Sequence, residues 1–235
     1  MKINLRQHLE TWNTFGIKEL YISKAQSEPQ LQPCLTTTEK NARLAQCQAD
    51  YAHCQACPLW RNRKRFVYGE GNPDAVCMIV GEAPGEQENQ QGRPFVGAAG
   101  QLLDKMLFSI DIIRGDVYIA NIVKCRPPLN RNPEQAERLA CLPYLIEQIN
   151  IIRPRVFLFL GLVAAQTLLQ TNAPMHRLRE TTHLYRGTPV WVTYHPSALL
   201  HNPNNKRPAW EDLKRFKLAY QALLAEEQLH EEPLS

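Results

Sequence analysis

The segment AVCMIVGEAPGEQE, residues 75–88, decides the fold class, because a short apolar run passes directly into a polar loop that contains glycine. Three further runs have the same apolar character: DVYIANI at 116–122, RVFLFLG at 155–161 and PVWVTYH at 189–195. Each run is rich in residues that favour strands. Nearly continuous runs of this kind are typical of strands that are buried on both faces of a parallel sheet.

Helical patterns separate these apolar runs along the chain. They lie at residues 99–109, 133–152, 162–170 and 206–226. An alternation of strands and helices favours an open parallel sheet with helices on both faces. The pattern therefore predicts an α/β fold.

The first 46 residues differ from the rest, because they are polar and include the Ser/Pro/Gln-rich stretch at 27–32. We expect short helices near 5–12 and 38–52, joined by a mobile linker. The predicted organisation is a partly flexible N-terminal helical extension at 1–46, one domain at 47–228 and a C-terminal tail at 229–235.

Composition sets limits on location and partners. The chain has 235 residues, 44% of them apolar, and a net charge of +4. No stretch reaches about 18 uncharged apolar residues, and the N-terminus lacks the apolar core of an export signal, so we expect a cytoplasmic protein with no membrane contact. The modest positive charge permits nucleic-acid binding without requiring it. Basic residues cluster at Arg61, Arg63, Lys64 and Arg65, at Arg126 and Arg131, and at Lys206 and Arg207.

Polar residues follow the ends of the predicted strands. Glu82 and Glu88 follow the first, Asn121 lies at the end of the second, and His195 ends the fourth. Ligands of open α/β sheets bind at the carboxyl ends of the strands. A lone His or Asn is usually a structural residue, but several at strand ends predict one shared crevice.

The seven cysteines suggest a metal site rather than disulfide bonds. Cys54 and Cys57 form a Cys-x2-Cys pair, while Cys125 and Cys141 follow the second strand. This set suits an iron–sulfur cluster or a zinc ion, and buried thiols are the alternative. Spacing alone does not separate iron–sulfur from zinc. The remaining cysteines are Cys34, Cys47 and Cys77.

Three motifs and the cysteines carry a resemblance to a known family. GEAPGEQENQQGRPFVGAAGQLLDKML at 81–107, NIVKCRPPLNRNP at 121–133 and YHPSALL at 194–200 resemble, in this order, the signatures of the iron–sulfur (family 4) uracil-DNA glycosylases. The resemblance covers residues 50 to 220. It implies a three-layer αβα sandwich around a central, mostly four-stranded parallel sheet. It also implies an enzyme that flips uracil out of DNA and hydrolyses its N-glycosidic bond.

The resemblance assigns roles in binding uracil. Phe95 would stack on the base, and Asn121 would read its polar edge. Glu88 would crowd the C5 position and exclude thymine, while the backbone at Ala83 would face the uracil carbonyls. His195 would stabilise the negative charge that develops on uracil O2. The group that activates water is not identified by the resemblance, and Glu82 and Glu88 are the candidates.

The resemblance also assigns the DNA contacts and the cofactor. Leu199 would act as a wedge between base steps, although a buried core leucine is an equal alternative. Ser197, Arg126 and Arg131 would contact the DNA backbone. A 4Fe-4S cluster, with zinc as the second choice, would be held by Cys54, Cys57, Cys125 and Cys141. The expected partner is uracil-containing DNA, single- or double-stranded, bound by a monomer.

Other functions stay open. A glycosylase of broader damaged-base specificity would keep the same motifs. A non-catalytic DNA-binding iron–sulfur module of this fold is expected to have degraded motifs, whereas Phe95, Asn121 and His195 are intact. A zinc-dependent nucleotide hydrolase would need a phosphate-binding glycine loop, and neither common form of that loop is present.

Overall fold

A seven-stranded sheet forms the centre of the computed structural model, which describes residues 20–22 and 35–231. Its order is β1-β6-β7-β5-β3-β4-β2. The strands are β1 (Leu20–Ile22), β2 (Glu70–Gly71), β3 (Cys77–Gly81), β4 (Tyr118–Asn121), β5 (Val156–Leu160), β6 (Thr182–Tyr185) and β7 (Thr188–Thr193).

The four predicted strands make up the middle of this sheet. They are β4, β3, β5 and β7, and each is parallel to its neighbour in that order. The predicted parallel core is therefore confirmed. The sheet is wider than predicted because β2 and β6 add antiparallel partners and β1 pairs in parallel with β6.

The helices also follow the predicted alternation. Four long helical patterns appear close to their predicted bounds, and three six-residue helices were not predicted. The helices are α1 (Thr37–Tyr51), α2 (Glu86–Gln91), α3 (Ala98–Phe108), α4 (Gln135–Ile152), α5 (Leu162–Leu169), α6 (Met175–Glu180), α7 (Pro196–His201) and α8 (Lys206–Glu231).

Two apolar clusters lie on opposite faces of the sheet, as a three-layer αβα sandwich requires. On one face, residues such as Met78 and Phe159 pack with α1, α4, α5 and α6. On the other, residues such as Ile79 and Leu158 pack with α3, α7 and α8. Side chains alternate between these faces along each strand, so the almost continuous apolar runs are explained.

Helix α1 spans the predicted domain boundary between residues 46 and 47. Its Leu44 and Cys47 are buried in the core, and Lys40 Nζ donates to Asp74 over 2.8 Å and to the carbonyl of Ile152 over 3.3 Å. The domain boundary remains a proposal, and this packing favours the start of α1 as its position. Likewise, α8 continues past residue 228. The helix expected near 5–12 lies outside the described residues.

None of the helices in the described part of the chain has the length and apolar character that a membrane span requires.

Candidate active site

The carboxyl ends of the four parallel strands lie at one edge of the sheet. Gly81, the last residue of β3, is the register partner of Asn121, the last residue of β4. On the other side of β3, Gly161 follows β5, and its amide donates to the carbonyl of Thr193 at the end of β7 over 2.8 Å. His195 comes two residues after Thr193. The predicted strand-end residues are thus brought to one edge by parallel pairing.

Phe95 and Asn121 approach each other above Gly81. A Cβ atom placed on Gly81 would lie 2.5 Å from both Asn121 Oδ1 and Phe95 Cζ, which no real side chain tolerates. The glycine therefore leaves room for the ring and the amide to meet. The Phe95 and His195 rings lie with their centroids 5.4 Å apart. An aromatic ring, an amide and an imidazole consequently line one site.

The amide oxygen of Asn121 has an unusual environment. The residue is buried, and its Oδ1 accepts no hydrogen bond from the described residues. A buried polar atom without a partner costs about 1–3 kcal/mol, so such atoms are rare and call for a ligand or water. Asn121 Oδ1 is therefore available to a donor that enters the site.

His195 is held as a neutral imidazole. Its Nδ1 accepts a hydrogen bond from the backbone amide of Ser197 over 3.2 Å and lies 2.7 Å from Ser197 Oγ. Burial lowers the pKa of His195 to about 4, although the charge of Glu88 opposes this shift. Since Nδ1 is an acceptor, the proton of the neutral ring belongs on Nε2. The ring can therefore donate through Nε2 without being charged.

Glu88 makes contacts that limit its role in chemistry. Its Oε1 accepts from the amides of Val96 and Gly97, each over 2.8 Å, and its Oε2 accepts from the amide of Gly85 over 3.1 Å. The carboxylate is buried and joins the loop after β3 to the segment that follows Phe95. These bonds occupy both oxygens in a structural task, which disfavours Glu88 as the water-activating group.

Glu82 has a different environment from Glu88. It is half-buried in the loop directly after β3, and burial raises its pKa to about 7, with Arg138 opposing the shift. A carboxyl that titrates near neutral pH suits a general base. Ala83 is also half-buried and packs against the core at the same turn. The two carboxylates singled out in the sequence thus differ: backbone amides engage both oxygens of Glu88, whereas burial raises the pKa of Glu82.

Arg114 supports the segment that carries Phe95, and the sequence motifs did not indicate it. Its Nη1 donates to the carbonyl of Phe95 over 3.1 Å and its Nη2 donates to the carbonyl of Pro94 over 2.5 Å. Glu70 pairs with the same guanidinium at 2.7 Å. Phe95 has a left-handed backbone with φ of 50°. This backbone conformation is unfavourable for residues other than glycine. The hydrogen bonds from the Arg114 guanidinium help to hold Phe95 in it.

The segment after His195 forms the short helix α7. His195 is its N-cap, and Ser197 contacts the imidazole as described. Leu199 is only 3% exposed and belongs to the apolar core, whereas Leu200 is 48% exposed. In this conformation Leu199 is therefore a core leucine and not an exposed wedge. A wedge at Leu199 would require α7 to leave its packing.

The two arginines expected to contact DNA are paired with carboxylates. Arg126 bonds to Glu86 and to Asn130, and Arg131 makes a bidentate pair with Glu137 at 2.7 and 2.8 Å. These bonds brace the loop after β4, so their guanidinium groups are not free in this structure. Other basic side chains of the described region are exposed: Arg61, Lys64, Arg65, Lys206 and Arg207.

The four cysteines singled out in the sequence line one cavity. Cys54 and Cys57 lie in the segment after α1, Cys125 lies after β4, and Cys141 lies in α4. Leu59, Phe66 and Val123 complete much of the wall. The cavity is thus enclosed by apolar groups with sulfur atoms as its soft donors, which suits iron or zinc.

Hydrogen-bond donors approach the sulfur atoms from several sides. The amide of Lys124 donates to Cys141 Sγ over 3.2 Å, and Arg63 Nη1 donates to Cys125 Sγ over 3.5 Å. Burial raises the pKa of the Cys141 thiol to about 12, so deprotonation requires nearby positive charge such as a bound metal supplies. Donors directed at cysteine sulfur atoms are a known feature of iron–sulfur sites.

Within the described residues, no three His, Cys, Asp or Glu side chains are arranged so as to hold a metal ion. A zinc site would draw four thiolates to about 2.3 Å from one centre. The four thiols line the same cavity without forming such an arrangement. Cys47 and Cys77 are buried elsewhere, and Cys34 lies outside the described residues.

Comparisons with known proteins identify a family and several relatives. A model of the uracil DNA glycosylase superfamily matches residues 68–214. A type-4 uracil-DNA glycosylase of Pyrobaculum aerophilum is 46% identical over 172 residues, which cover 70% of this chain and 88% of that protein. A type-4 uracil-DNA glycosylase of Thermotoga maritima is 44% identical over 174 residues, covering 70% of this chain and 88% of that protein.

A type-5 uracil-DNA glycosylase of Pyrobaculum aerophilum is also similar, with 34% identity over 177 residues that cover 66% of this chain and 74% of that protein. The identity to the type-4 proteins is higher and covers more of each relative. The chain therefore belongs to the uracil-DNA glycosylase superfamily and, within it, to the type-4 uracil-DNA glycosylases.

Proposed function

We propose that this protein removes uracil from DNA by hydrolysing the N-glycosidic bond, which leaves an abasic site. The observation that carries the proposal is the buried Oδ1 of Asn121, which has no hydrogen-bond partner among the described residues and lies beside the rings of Phe95 and His195. A base in a duplex cannot reach such a site, so the enzyme must extrude it. The names of the type-4 relatives support uracil as the base.

Asn121 and Phe95 divide the task of recognition. The flat ring of Phe95 gives affinity for a pyrimidine face without choosing among bases. The Asn121 amide then accepts from uracil N3–H and donates to O4, whereas cytosine presents the opposite polarity. A mismatched edge leaves buried polar groups unpaired, and this penalty produces strong discrimination.

His195 stabilises the leaving group in this proposal. Bond cleavage leaves negative charge on uracil, largely at O2. The neutral ring, with Nδ1 engaged by the Ser197 amide, donates through Nε2 to that oxygen. A preorganised donor of this kind contributes about 3–4 kcal/mol to transition-state stabilisation. Because burial keeps His195 neutral, its donor is present at physiological pH.

Glu82 is the proposed water-activating group. Its pKa of about 7 allows a substantial fraction of carboxylate at neutral pH, together with enough basicity to accept a proton from water. Glu88 instead accepts hydrogen bonds from three backbone amides, and these bonds hold the backbone that would surround the base. It remains the candidate for excluding the thymine methyl group, and Ala83 remains the candidate for backbone contact with the uracil carbonyls.

DNA contacts are proposed for the surface around α7. Ser197 is the candidate for a phosphate contact, and exposed cations such as Arg65 and Arg207 would supply affinity that depends on salt. For Leu199, a wedge role needs α7 to move, and exposed Leu200 is the alternative wedge. Arg126 and Arg131 would contact phosphates only after exchanging their carboxylate partners. We propose a monomer that accepts single- or double-stranded DNA.

We further propose that Cys54, Cys57, Cys125 and Cys141 hold a 4Fe-4S cluster, with zinc as the second candidate. The cavity that these four residues share supports this assignment. When bound, the cluster would crosslink the segment after α1 to β4 and α4, a structural task. Reduced thiols are needed to hold it, so we propose the cytoplasm as the location.

A cleavage assay on a uracil-containing oligonucleotide, followed by alkali, tests the proposed reaction. The wild-type protein is expected to produce a break at uracil, and Asn121→Ala is expected to abolish it. Asn150→Ala, an asparagine on α4 outside the site, serves as the matched control. A folded, DNA-binding wild-type protein that produces no break would contradict the proposal and favour the non-catalytic module. Breaks at other damaged bases in parallel oligonucleotides would favour the broader specificity.

A further inference from the structure

Lys124 is a fully buried lysine that lies between the proposed base pocket and the cysteine cavity. Its Nζ donates to the backbone carbonyl of Asn121 over 3.0 Å and to Gln148 Oε1 over 2.6 Å. Its own backbone amide donates to Cys141 Sγ over 3.2 Å, and Cys125 is the next residue. One residue therefore contacts the strand end that carries Asn121 and a proposed cluster ligand.

The ammonium group of Lys124 has neutral hydrogen-bond partners in this position. These are an amide oxygen and a backbone carbonyl, and the ring of Tyr68 lies 5.8 Å away. A buried charge is costly unless a countercharge lies near it. Four thiolates bring four negative charges to the adjacent cavity, and the iron of a cluster cancels only part of them. A cluster held by these cysteines would therefore supply the missing countercharge.

Gln148 anchors the other side of this arrangement. Its Nε2 donates to the carbonyl of Tyr68 over 2.9 Å and to Tyr118 Oη over 3.1 Å, and the residue is fully buried. The lysine side chain is thus fixed at its tip by two elements, α4 and the end of β4. A change of charge in the cavity would act on Asn121 through this connection.

We infer that Lys124 is a positioning residue that couples occupancy of the cysteine site to the geometry of Asn121, and hence to uracil binding. The inference rests on the proposed function, because it assumes both a cluster and a uracil pocket. Coupling of two binding sites is reciprocal. If the cluster strengthens uracil binding through Lys124, bound uracil must strengthen retention of the cluster by the same factor.

The test measures iron retention rather than cleavage. Holoprotein is titrated with an iron chelator, and the visible absorbance of the cluster is followed to equilibrium. The titration is repeated with an oligonucleotide that contains non-cleavable 2′-fluoro-2′-deoxyuridine, and with one that contains thymidine at the same position. The thymidine oligonucleotide controls for DNA binding that does not involve the pocket. Lys124→Met is compared with Lys40→Met, which removes another buried lysine far from the pocket.

For wild type and Lys40→Met, the chelator concentration at the midpoint is expected to be at least about fivefold higher with the uracil analogue than with thymidine. Lys124→Met is expected to bind iron and DNA and to show no difference between the oligonucleotides. An equal shift in Lys124→Met, or no shift in wild type, would overturn the inference. If Lys124→Met does not fold, the shorter and neutral Lys124→Gln replaces it with the same two outcomes. A wild-type protein that lacks iron or does not bind the uracil analogue contradicts the proposed function instead.

Discussion

Arg114 Nη1 donates a hydrogen bond to the backbone carbonyl of Phe95 over 3.1 Å, although nineteen residues separate the two in the chain. The same guanidinium pairs with Glu70 and with Asp104. The bond holds Phe95 in a left-handed backbone conformation, next to a glycine at position 100 that leaves no room for a Cβ atom. The orientation of the proposed stacking ring therefore depends on a residue outside the family motifs.

Arg114→Ala is expected to loosen the Phe95 segment and lower kcat/KM for uracil-containing DNA by about tenfold to a hundredfold, because misplaced binding groups cost that much. The steady-state assay on a uracil oligonucleotide measures it. Arg93→Ala is the matched control, since Arg93 also pairs with Glu70 but lies on the exposed side. Equal activity of the two variants would show that Arg114 does not position Phe95.

Replacement of Glu82 tests the assignment of the base. A carboxyl with a pKa of about 7 becomes increasingly ionised as pH rises from 6 to 8, so kcat/KM is expected to rise over this interval. Glu82→Gln is expected to remove this rise along with most of the activity. The pH profile of single-turnover cleavage measures it. A rise near pH 7 that persists in Glu82→Gln would assign the titration to another group.

His195→Gln is expected to lower the cleavage rate by about a hundredfold to a thousandfold, as loss of one oxyanion donor does. The rise near pH 7 is expected to stay in place, because burial keeps the pKa of His195 at about 4. A profile in which His195→Gln shifts or abolishes the titration near pH 7 would show that the imidazole is charged during the reaction.

Stability gives a second check on His195. Its pKa is lowered from an ordinary value of 6.5 to about 4, so the unfolded chain takes up the proton first as pH falls. The contribution of His195 to stability is therefore present above pH 6.5 and is lost as pH falls toward 4. Urea denaturation at pH 5 and pH 7 is expected to show a smaller loss for His195→Gln than for wild type. The same loss in both proteins would contradict the low pKa.

Leu199→Ala and Leu200→Ala are expected to have different effects on stability. Leu199 is a core residue, so its truncation is expected to reduce the free energy of unfolding by about 2–5 kcal/mol. Leu200 is exposed, and its truncation is expected to leave stability within about 0.5 kcal/mol. Thermal denaturation and affinity for duplex DNA are measured on both. Weaker DNA binding by Leu200→Ala at unchanged stability would identify Leu200 as the wedge, and unchanged binding would remove it as a candidate.

Cys125→Ser is expected to reduce iron content and thermal stability more than it alters the chemical step. Cys77→Ala is the control, because Cys77 is buried in β3 and does not line the cavity. Iron per chain and the melting temperature are measured on both variants. A cluster-free Cys125→Ser protein with wild-type stability and full activity would refute the structural role.

The strands were predictable because buried parallel strands need apolar residues at every position. Such runs mark β3, β4, β5 and β7 directly. The two-residue strand β2 and the four-residue strand β6 lack this signal, since their stability comes from pairing with a neighbour. Short helices such as α7 were missed for a similar reason, because six residues are too few to show a clear periodicity.

Site residues were predictable where the type of side chain and its motif already indicate a role. Asn121, Phe95 and His195 were singled out by their motifs, and they do lie together. The part taken by Glu88 was not predictable, because two of its three amide partners, Val96 and Gly97, lie in the segment after Phe95 that folds back onto it.

The sequence by itself determined the α/β class, the order of the motifs and the set of four cysteines, because these depend on local apolar pattern and residue identity. Only the tertiary structure decided which atoms are free and which are engaged. Within the described residues Asn121 Oδ1 accepts no hydrogen bond, Leu199 is buried, and Lys124 contacts both Asn121 and Cys141. Hydrogen bonding and burial depend on contacts between distant segments, and those contacts exist only once the sheet and its helices have packed.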